Sequence, residues 1–545
     1  MNAANALAAT LRLHGVDRIF CVPGESFLAV LDALHDVPEI QTIACRHEGG
    51  AGNMAVADAK LTGRPGVAFV SRGPGASNAS IAVHTAQQDA APLVLFIGQV
   101  DRADIGRRAF QEVDYVRTFG DMAKWVVEVT DGKQLPRIAA QALRMAAEGV
   151  PGPVVVSLPE DMLLDGGAEP VSPEMFEPLP KPDMSIVGEI ARRLAIAERP
   201  LLIIGGGVGS VHARRLVIDA AEAWNIPVAT SFRQQHLFPS AHPLAAGHLG
   251  FNIPRQALDT ISPADLVIAV GTRLGDVTTQ GYRFPAAPTP KQPLIHVHAA
   301  AEALNAAHQA TIALQSDASD FLEALLGLRP NALPDRSEWI KRVNGYAAGL
   351  LNWSPAQAAD GVVFGTIVAA LRDAAPADAI ITLDAGNFSG WLHRYFPFGT
   401  GHTLLAPISG AMGFGVPAGV AAALRCPDRK VITFVGDGGF LMTGNELATA
   451  LQYGARLCII VSDNGSYGTI RQYQERDYPG RVAATGLRNP DFQALGRAFG
   501  AESLRIGPND DAAAIIRHAL SIEGPVLVHV QTSLTHISAY MTLKQ

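Results

Sequence analysis

The sequence predicts an α/β protein made of three open parallel-sheet domains. Two observations carry this. Short apolar runs alternate with helix-length segments along the whole chain, the pattern of parallel strands buried on both faces. Two stretches without periodicity, rich in Pro, Gly and acidic residues, cut that alternation into blocks of similar size. With 545 residues, 48% of them hydrophobic, and a mean hydropathy of +0.16, the chain has apolar surface for several domains and is not of the disordered class.

The first block, residues 1–165, has strand-like runs at 18–22, 66–70, 92–97 and 153–158, the first ending at Pro23-Gly24. Asp165 to Asp183 reads as a linker. The second block, 185–327, is a central Rossmann-like domain with runs at 200–204, 226–230, 265–270, 294–297 and 312–314. Its Gly205-Gly206-Gly207-Val208-Gly209 suits a phosphate or an unliganded tight turn equally. Gly327 to Arg336 reads as a second linker, and the third block, 350–545, has runs at 379–383, 430–435, 457–461 and 526–530. Ligand-facing loops should follow the strands.

A formal charge of −8 supplies no positive surplus for a phosphate backbone, so no nucleic acid is expected. Cys21, Cys45, Cys426 and Cys458 form no CxxC pair and read as small hydrophobes or free thiols of a reducing compartment. The start lacks the basic and apolar stretches of a signal peptide, and no apolar run reaches membrane-span length. The expectation is a cytoplasmic protein with no membrane partner.

The decisive polar clusters follow two apolar runs. One is Gly436-Asp437-Gly438-Gly439; the other, a helix-length interval later, is Asp463-Asn464-Gly465-Ser466-Tyr467-Gly468. If the two strands are parallel neighbours, Asp437 and Asn464 emerge at one carboxyl edge. Gly436 and Gly438 let backbone pass closely, and the N–H groups of Gly438 and Gly439 can meet an anionic oxygen. A hard cation such as Mg²⁺ would take oxygens from Asp437, Asn464 and the Ser466 carbonyl, with phosphate and water completing its shell. Each cluster alone is also an ordinary turn composition; their pairing after strands favours the site.

This pair resembles the signature of thiamine diphosphate enzymes, and nearly the whole chain resembles their acetolactate synthase-like branch, with pyrimidine-binding, central and diphosphate-binding domains in that order. The resemblance makes Glu48, in Arg46-His47-Glu48-Gly49-Gly50, the carboxyl group that hydrogen-bonds the cofactor's pyrimidine and so activates its thiazolium. Alone, that glutamate would more often be a helix-start cap or solvated charge. His47 beside it is a weaker candidate. Met412, within Gly410-Ala411-Met412-Gly413, matches the large apolar residue that supports the bent cofactor.

Pro23 and Asn78 match positions near the cofactor, and the glycines of Ser71 to Asn78 suit tight turns. Gly386, Asn387 and Phe388 fall where relatives contact the diphosphate, with Asn387 and Phe388 replacing the usual glutamine and histidine; Tyr467 and Gly468 complete the cofactor set. Glu25, Ser26, Phe110, Gln111, Lys124, Thr469, Ile470 and Tyr473 match the substrate channel, but Thr469 and Tyr473 stand where a biosynthetic acetolactate synthase has methionine and tryptophan.

The resemblance implies thiamine diphosphate- and Mg-dependent decarboxylation and carboligation of small 2-oxo acids. It also leaves open an aldehyde-releasing decarboxylase, another C–C lyase, and an inactive cofactor-binding protein. Flavin adenine dinucleotide (FAD) stays open as well, because Gly271-Thr272-Arg273 matches part of the family's flavin site while Gly275-Asp276-Val277 departs from it. Relatives place the cofactor between two subunits, so a homodimer or homotetramer is implied.

Overall fold

The computed structural model describes residues 1–173, 181–251, 253–330 and 332–543. Three six-stranded sheets follow one another along the chain, and every pairing between neighbouring strands is parallel.

The first sheet comprises β1 (Arg18–Cys21), β2 (Gln41–Ala44), β3 (Gly66–Ser71), β4 (Leu93–Gln99), β5 (Trp125–Glu128) and β6 (Pro153–Pro159), in the order 2-1-3-4-6-5. The second comprises β7 (Pro200–Ile204), β8 (Val228–Thr230), β9 (Ala245–His248), β10 (Leu266–Val270), β11 (Leu294–His298) and β12 (Ile312–Gln315), ordered 12-11-10-7-8-9. The third comprises β13 (Ile380–Leu383), β14 (Thr403–Leu405), β15 (Val431–Gly436), β16 (Leu457–Asp463), β17 (Glu502–Ile506) and β18 (Val526–Gln531), ordered 14-13-15-16-18-17. The strand order reverses between β1 and β3, β7 and β10, and β13 and β15. Crevices open at such reversals, and the polar loops of the third sheet lie beside the last one.

The Ala- and Gly-rich helix Glu48–Thr62 lacks an apolar stripe because it is buried nearly all round. Its small side chains permit close approach: a Cβ on Gly52 would lie 2.5 Å from that of Ala82 in the helix Arg72–Asp89. On its other flank it packs against the helix Gly415–Arg425, so the first and third domains share one hydrophobic core running from Phe20 and Met54 to Phe414 and Leu457. The central domain keeps cores of its own.

Two linker expectations meet the structure differently. Residues 174–180 of the Asp165–Asp183 linker lie outside the described residues, as does residue 331 in the second linker. Arg336, at the end of that second linker, is only 1% exposed, and its guanidinium donates to the carbonyls of Leu194, Ala197 and Trp224. The helix Ser337–Leu350 that follows packs on β9, with Trp339 and Val343 inside a central-domain core.

Candidate active site

The third sheet brings the two polar clusters together. β15 and β16 are parallel neighbours with Gly436 opposite Ser462, so Asp437 and Asp463 leave the sheet side by side and Asn464 follows directly. Asp437 is buried; its carboxylate accepts from its neighbour Gly438 N at 2.9 Å and from Asn489 Nδ2 at 2.8 Å. The same Asn489 amide donates to Asp463 Oδ1 at 2.7 Å, and Asp463 Oδ2 lies 2.8 Å from His529 Nε2.

A buried and a half-buried carboxyl group bridged by one amide cannot both ionise freely. Burial pushes Asp437 up to about 6, and the Asp463 charge adds to the push. Burial acts on Asp463 in the same direction, but His529, Asn489 and the Gly465 N–H hold it below the usual carboxylate range.

Asp437, Gly436, Gly438, Gly439, Ser466, Tyr467 and Gly468 line a cleft of about 320 Å³ together with Gly386, Asn387, Phe388, Gly410, Met412, Thr469, Ile470 and Tyr473. Close packing explains several of its glycines. A Cβ on Gly438 would lie 2.6 Å from the Tyr467 ring, and one on Gly468 2.5 Å from Asn387 Oδ1. Met412 is half-buried in the cleft wall and is not a core methionine.

Its loop is gripped from all three domains. Asp384 Oδ1 and Oδ2 each accept from Gly413 N at 2.9 Å, Thr443 Oγ1 donates to the Gly413 carbonyl, and Asp89 accepts from Ser409 N. Lys60 Nζ donates to the Ala406 carbonyl and Arg233 to that of Pro407.

Some details differ from expectation. Gly438 N donates to Asp437, so it does not stand free for an anion. Phe388 is buried, its ring against Gly386 and Gly436, and acts by packing. The Asn387 amide donates to the Ile537 carbonyl. Asn464 does not line the cleft, and its Oδ1 accepts from Ser466 N at 3.0 Å.

A second group gathers on the first sheet. Glu48 opens its helix, capped by His47, whose Nδ1 accepts from Gly49 N at 3.0 Å. Glu48 Oε2 accepts from Asn78 Nδ2 at 2.9 Å, and a Cβ on Gly75 would lie 3.5 Å from its Oε1. Residues 72–78, read as tight turns, are instead the first turns of the helix Arg72–Asp89, where Gly75 makes room for the Glu48 side chain. Pro23 and Glu25 are exposed nearby, with Glu25 3.5 Å from Arg72, and Gln111 holds Gly73 N through its carbonyl. Phe110 projects at 77% exposure.

Two channel candidates are engaged in contacts of their own within the single chain. Ser26 has no exposed surface, because its hydroxyl is bound to that of Ser71 and Gly98 packs on it. Lys124 precedes β5, at the opposite sheet edge from the loops after β1 and β3, and its ammonium donates to the Glu148 carbonyl.

Neither Glu48 nor the other first-sheet candidates line the third-domain cleft. A residue that sequence reasoning passed over connects the two groups. Glu446, wholly buried, accepts from Arg46 N at 3.1 Å through Oε1, from His47 N at 3.0 Å, and from Thr449 Oγ1 at 2.6 Å. Burial raises its pKa. No local signal marks it, since Thr443-Gly444-Asn445 precede it and the segment is not uniformly apolar.

The donor set fits a hard cation carried by a diphosphate. Among the described residues no three His, Cys, Asp or Glu side chains cluster as metal ligands, so a cation at Asp437 would draw on amide, carbonyl, phosphate and water oxygens, as Mg²⁺ does. The flavin fits less well. Gly207 is explained by protein packing, since its Cβ would fall 2.7 Å from Gly271 Cα, and Arg273 donates to the Gln88 carbonyl in the first domain.

A three-domain chain of parallel sheets, with a buried Asp-Gly cluster at the switch point of the last, is the architecture of an enzyme that holds a diphosphate cofactor. Residues 1–118 match the N-terminal TPP binding domain of thiamine pyrophosphate enzymes, 187–325 their central domain and 384–530 their C-terminal TPP binding domain. The chain belongs to the thiamine pyrophosphate enzyme family. It is similar to the acetolactate synthase large subunit of Parasynechococcus marenigrum, at 33% identity over 97% of this chain and 87% of the relative. It is also similar to the isozyme 2 large subunit of Escherichia coli (32%; 97% and 95%) and to the large subunit of Lactococcus lactis (32%; 96% and 91%). Among the described residues no helix is long and apolar enough to cross a membrane.

Proposed function

We propose that this enzyme decarboxylates a small 2-oxo acid and joins the remaining fragment to a second carbonyl compound, using thiamine diphosphate and Mg²⁺. The single observation that carries the reading is the convergence of Asp437, Gly438, Ser466 and Met412 on one cleft, in a chain that matches thiamine pyrophosphate enzymes in all three domains. When bound, the cofactor supplies a carbon nucleophile and an electron sink.

The protein's own groups do the rest. Asp437, Asn464 and the Ser466 carbonyl would hold the cation, and Met412 would support the cofactor from a loop that three domains brace. Glu48, oriented by Asn78, would hydrogen-bond the pyrimidine ring. Because Glu48 lies outside the cleft of its own chain, a partner subunit must bring it there, which supports a homodimer or a tetramer of dimers. The halves of the site close over substrate and exclude water, which favours attack on a carbonyl over early protonation.

The names of the relatives support carboligation over aldehyde release. Thr469 and Tyr473, half-buried in the cleft wall, set a pocket whose substrates need not be theirs. The test is turnover of a panel of aliphatic and aromatic 2-oxo acids with Mg²⁺ and thiamine diphosphate, read as carbon dioxide and products by mass spectrometry. Glu48→Gln should lower kcat at least about 100-fold while leaving the fold intact. Undiminished turnover in that variant refutes the role of Glu48, and no turnover by the native enzyme on any member refutes the reading.

A further inference from the structure

The cleft has a wall that neither the diphosphate nor the Thr469–Tyr473 stretch accounts for. Arg233, Gln235, His248 and Phe251 reach it from the central domain, and His393 from the third. Arg233 is 5% exposed and sits at φ +59°, a left-handed conformation that non-glycine residues adopt rarely. Among the described residues no carboxylate lies within ion-pair distance of it, and Asp89 and Asp384 act on it only through space. One Nη donates to the Pro407 carbonyl, the guanidinium lies 5.0 Å above the Phe232 ring, and Nε has no partner.

Gln235, 6% exposed, places its Nε2 2.8 Å from His393 Nδ1, so the ring nitrogen must accept and His393 carries its proton on Nε2. That Nε2 and Gln235 Oε1 are both buried without a partner. The wall therefore offers a guanidinium and an imidazole N–H as donors beside one amide acceptor. A dry, unpaired cation is costly unless something arrives to match it.

We propose that Arg233, with His393 and Gln235, forms a subsite for a substrate carboxylate that is retained through the reaction. The inference rests on the proposed decarboxylation and carboligation. The carboxylate lost as carbon dioxide is a poor occupant, because a buried cation clamped on it stabilises the starting acid more than a transition state in which that charge moves away. A retained carboxylate keeps its charge throughout and gains from the pairing at every stage. It has two sources: the far carboxyl of a dicarboxylic 2-oxo acid, or the carboxyl of an acid that accepts the new bond.

Kinetics on the holoenzyme separate them. For the donor, 2-oxoglutarate is compared with 2-oxopentanoate, which has the same length without the second charge; for the acceptor, 2-oxobutanoate is compared with propanal. Arg233→Met should raise KM for the carboxylate-bearing member of one pair roughly tenfold or more beyond its effect on the other member. Arg233 also braces the loop carrying Met412, so Gln235→Glu is made alongside it. That change keeps the Pro407 contact, puts a competing carboxylate into the same cleft wall, and should produce the same selective rise. The pair that responds identifies the source. Equal changes for both members of both pairs, in both variants, overturn the subsite while leaving the overall reaction standing, whereas no turnover of any 2-oxo acid by the native enzyme overturns the reaction itself.

Discussion

Glu446 offers the sharpest test of how this chain aims Glu48. Its carboxylate is wholly buried and receives two backbone N–H groups and a hydroxyl, all within 3.2 Å. Glu446→Ala leaves the Arg46 and His47 donors without a partner inside the shared core, while Thr449 can rotate to another acceptor. At about 1–3 kcal/mol for each stranded group, the loss of stability should be about 3–5 kcal/mol.

Glu446→Gln behaves differently. It keeps the shape and relieves the burial penalty that raises the native carboxyl's pKa, so its net effect on stability should stay within about 1.5 kcal/mol. An amide nitrogen would then face a backbone donor and slacken the segment that ends in Glu48. Misplacement on the order of 1 Å can cost about 100-fold in rate, so a fall in kcat of at least tenfold is expected with an almost normal urea midpoint.

The sign with pH follows from the raised pKa. The folded protein holds that proton more tightly than the unfolded chain, so native stability relative to Glu446→Gln should be full below the unfolded carboxyl's pKa and decline as pH rises from there through the folded value. Urea titrations across pH, with kcat and exchange of the cofactor C2 proton, check all of this. A Glu446→Ala protein as stable as the native one, or a Glu446→Gln protein with native C2 exchange, refutes the reasoning.

Arg425 joins the first and third domains through Asp17 at 2.8 Å and Asp58 at 2.7 Å. Arg425→Met should cost about 2–4 kcal/mol, chiefly because Asp58 is left buried beside Arg18 alone, at 3.9 Å. Hydrogen bonding from Arg425 holds Asp17 far below the usual carboxylate range, so its contribution is present above that range and is lost in strong acid. Because Asp17 is nearly half exposed, that contribution is small, and chemical denaturation across acid pH should show only a shallower decline in the variant. Gly438→Ala should weaken cofactor binding at least about tenfold without unfolding the protein, since the new methyl group displaces the Tyr467 ring from the cleft wall; calorimetry with thiamine diphosphate and Mg²⁺ checks it.

The interior of each sheet was legible because strands buried on both faces must be continuously apolar, and β4 and β6 have every residue buried. The strands that escaped, β2, β5, β9, β14 and β17, are all edge strands, where one flank is unpaired and the composition relaxes to Trp-Val-Val-Glu or Glu-Ser-Leu-Arg-Ile. The candidate site follows the same logic. The juxtaposition of Asp437 with Asn464 was readable from strand ends, because parallel pairing fixes where they emerge. Asn489, Glu446 and Arg233 were not, since each acts across a long sequence separation through contacts that no local spacing encodes.

Glu446 and Arg233 also tie the domains together, the first to the backbone of Arg46 and His47 and the second to the Pro407 carbonyl. A cofactor that spans two domains needs both ends held in register, yet the Glu48 of a given chain does not face the Asp437 cleft of that chain. The segment from Asp437 to Glu446 begins at the proposed cation and ends on the backbone that carries Glu48. If a partner supplies the missing half of each site, this segment runs from one site of the dimer to the other. The aim of each Glu48 then depends on the shared core of the first and third domains, which holds its helix against the third domain as a flexible tether would not.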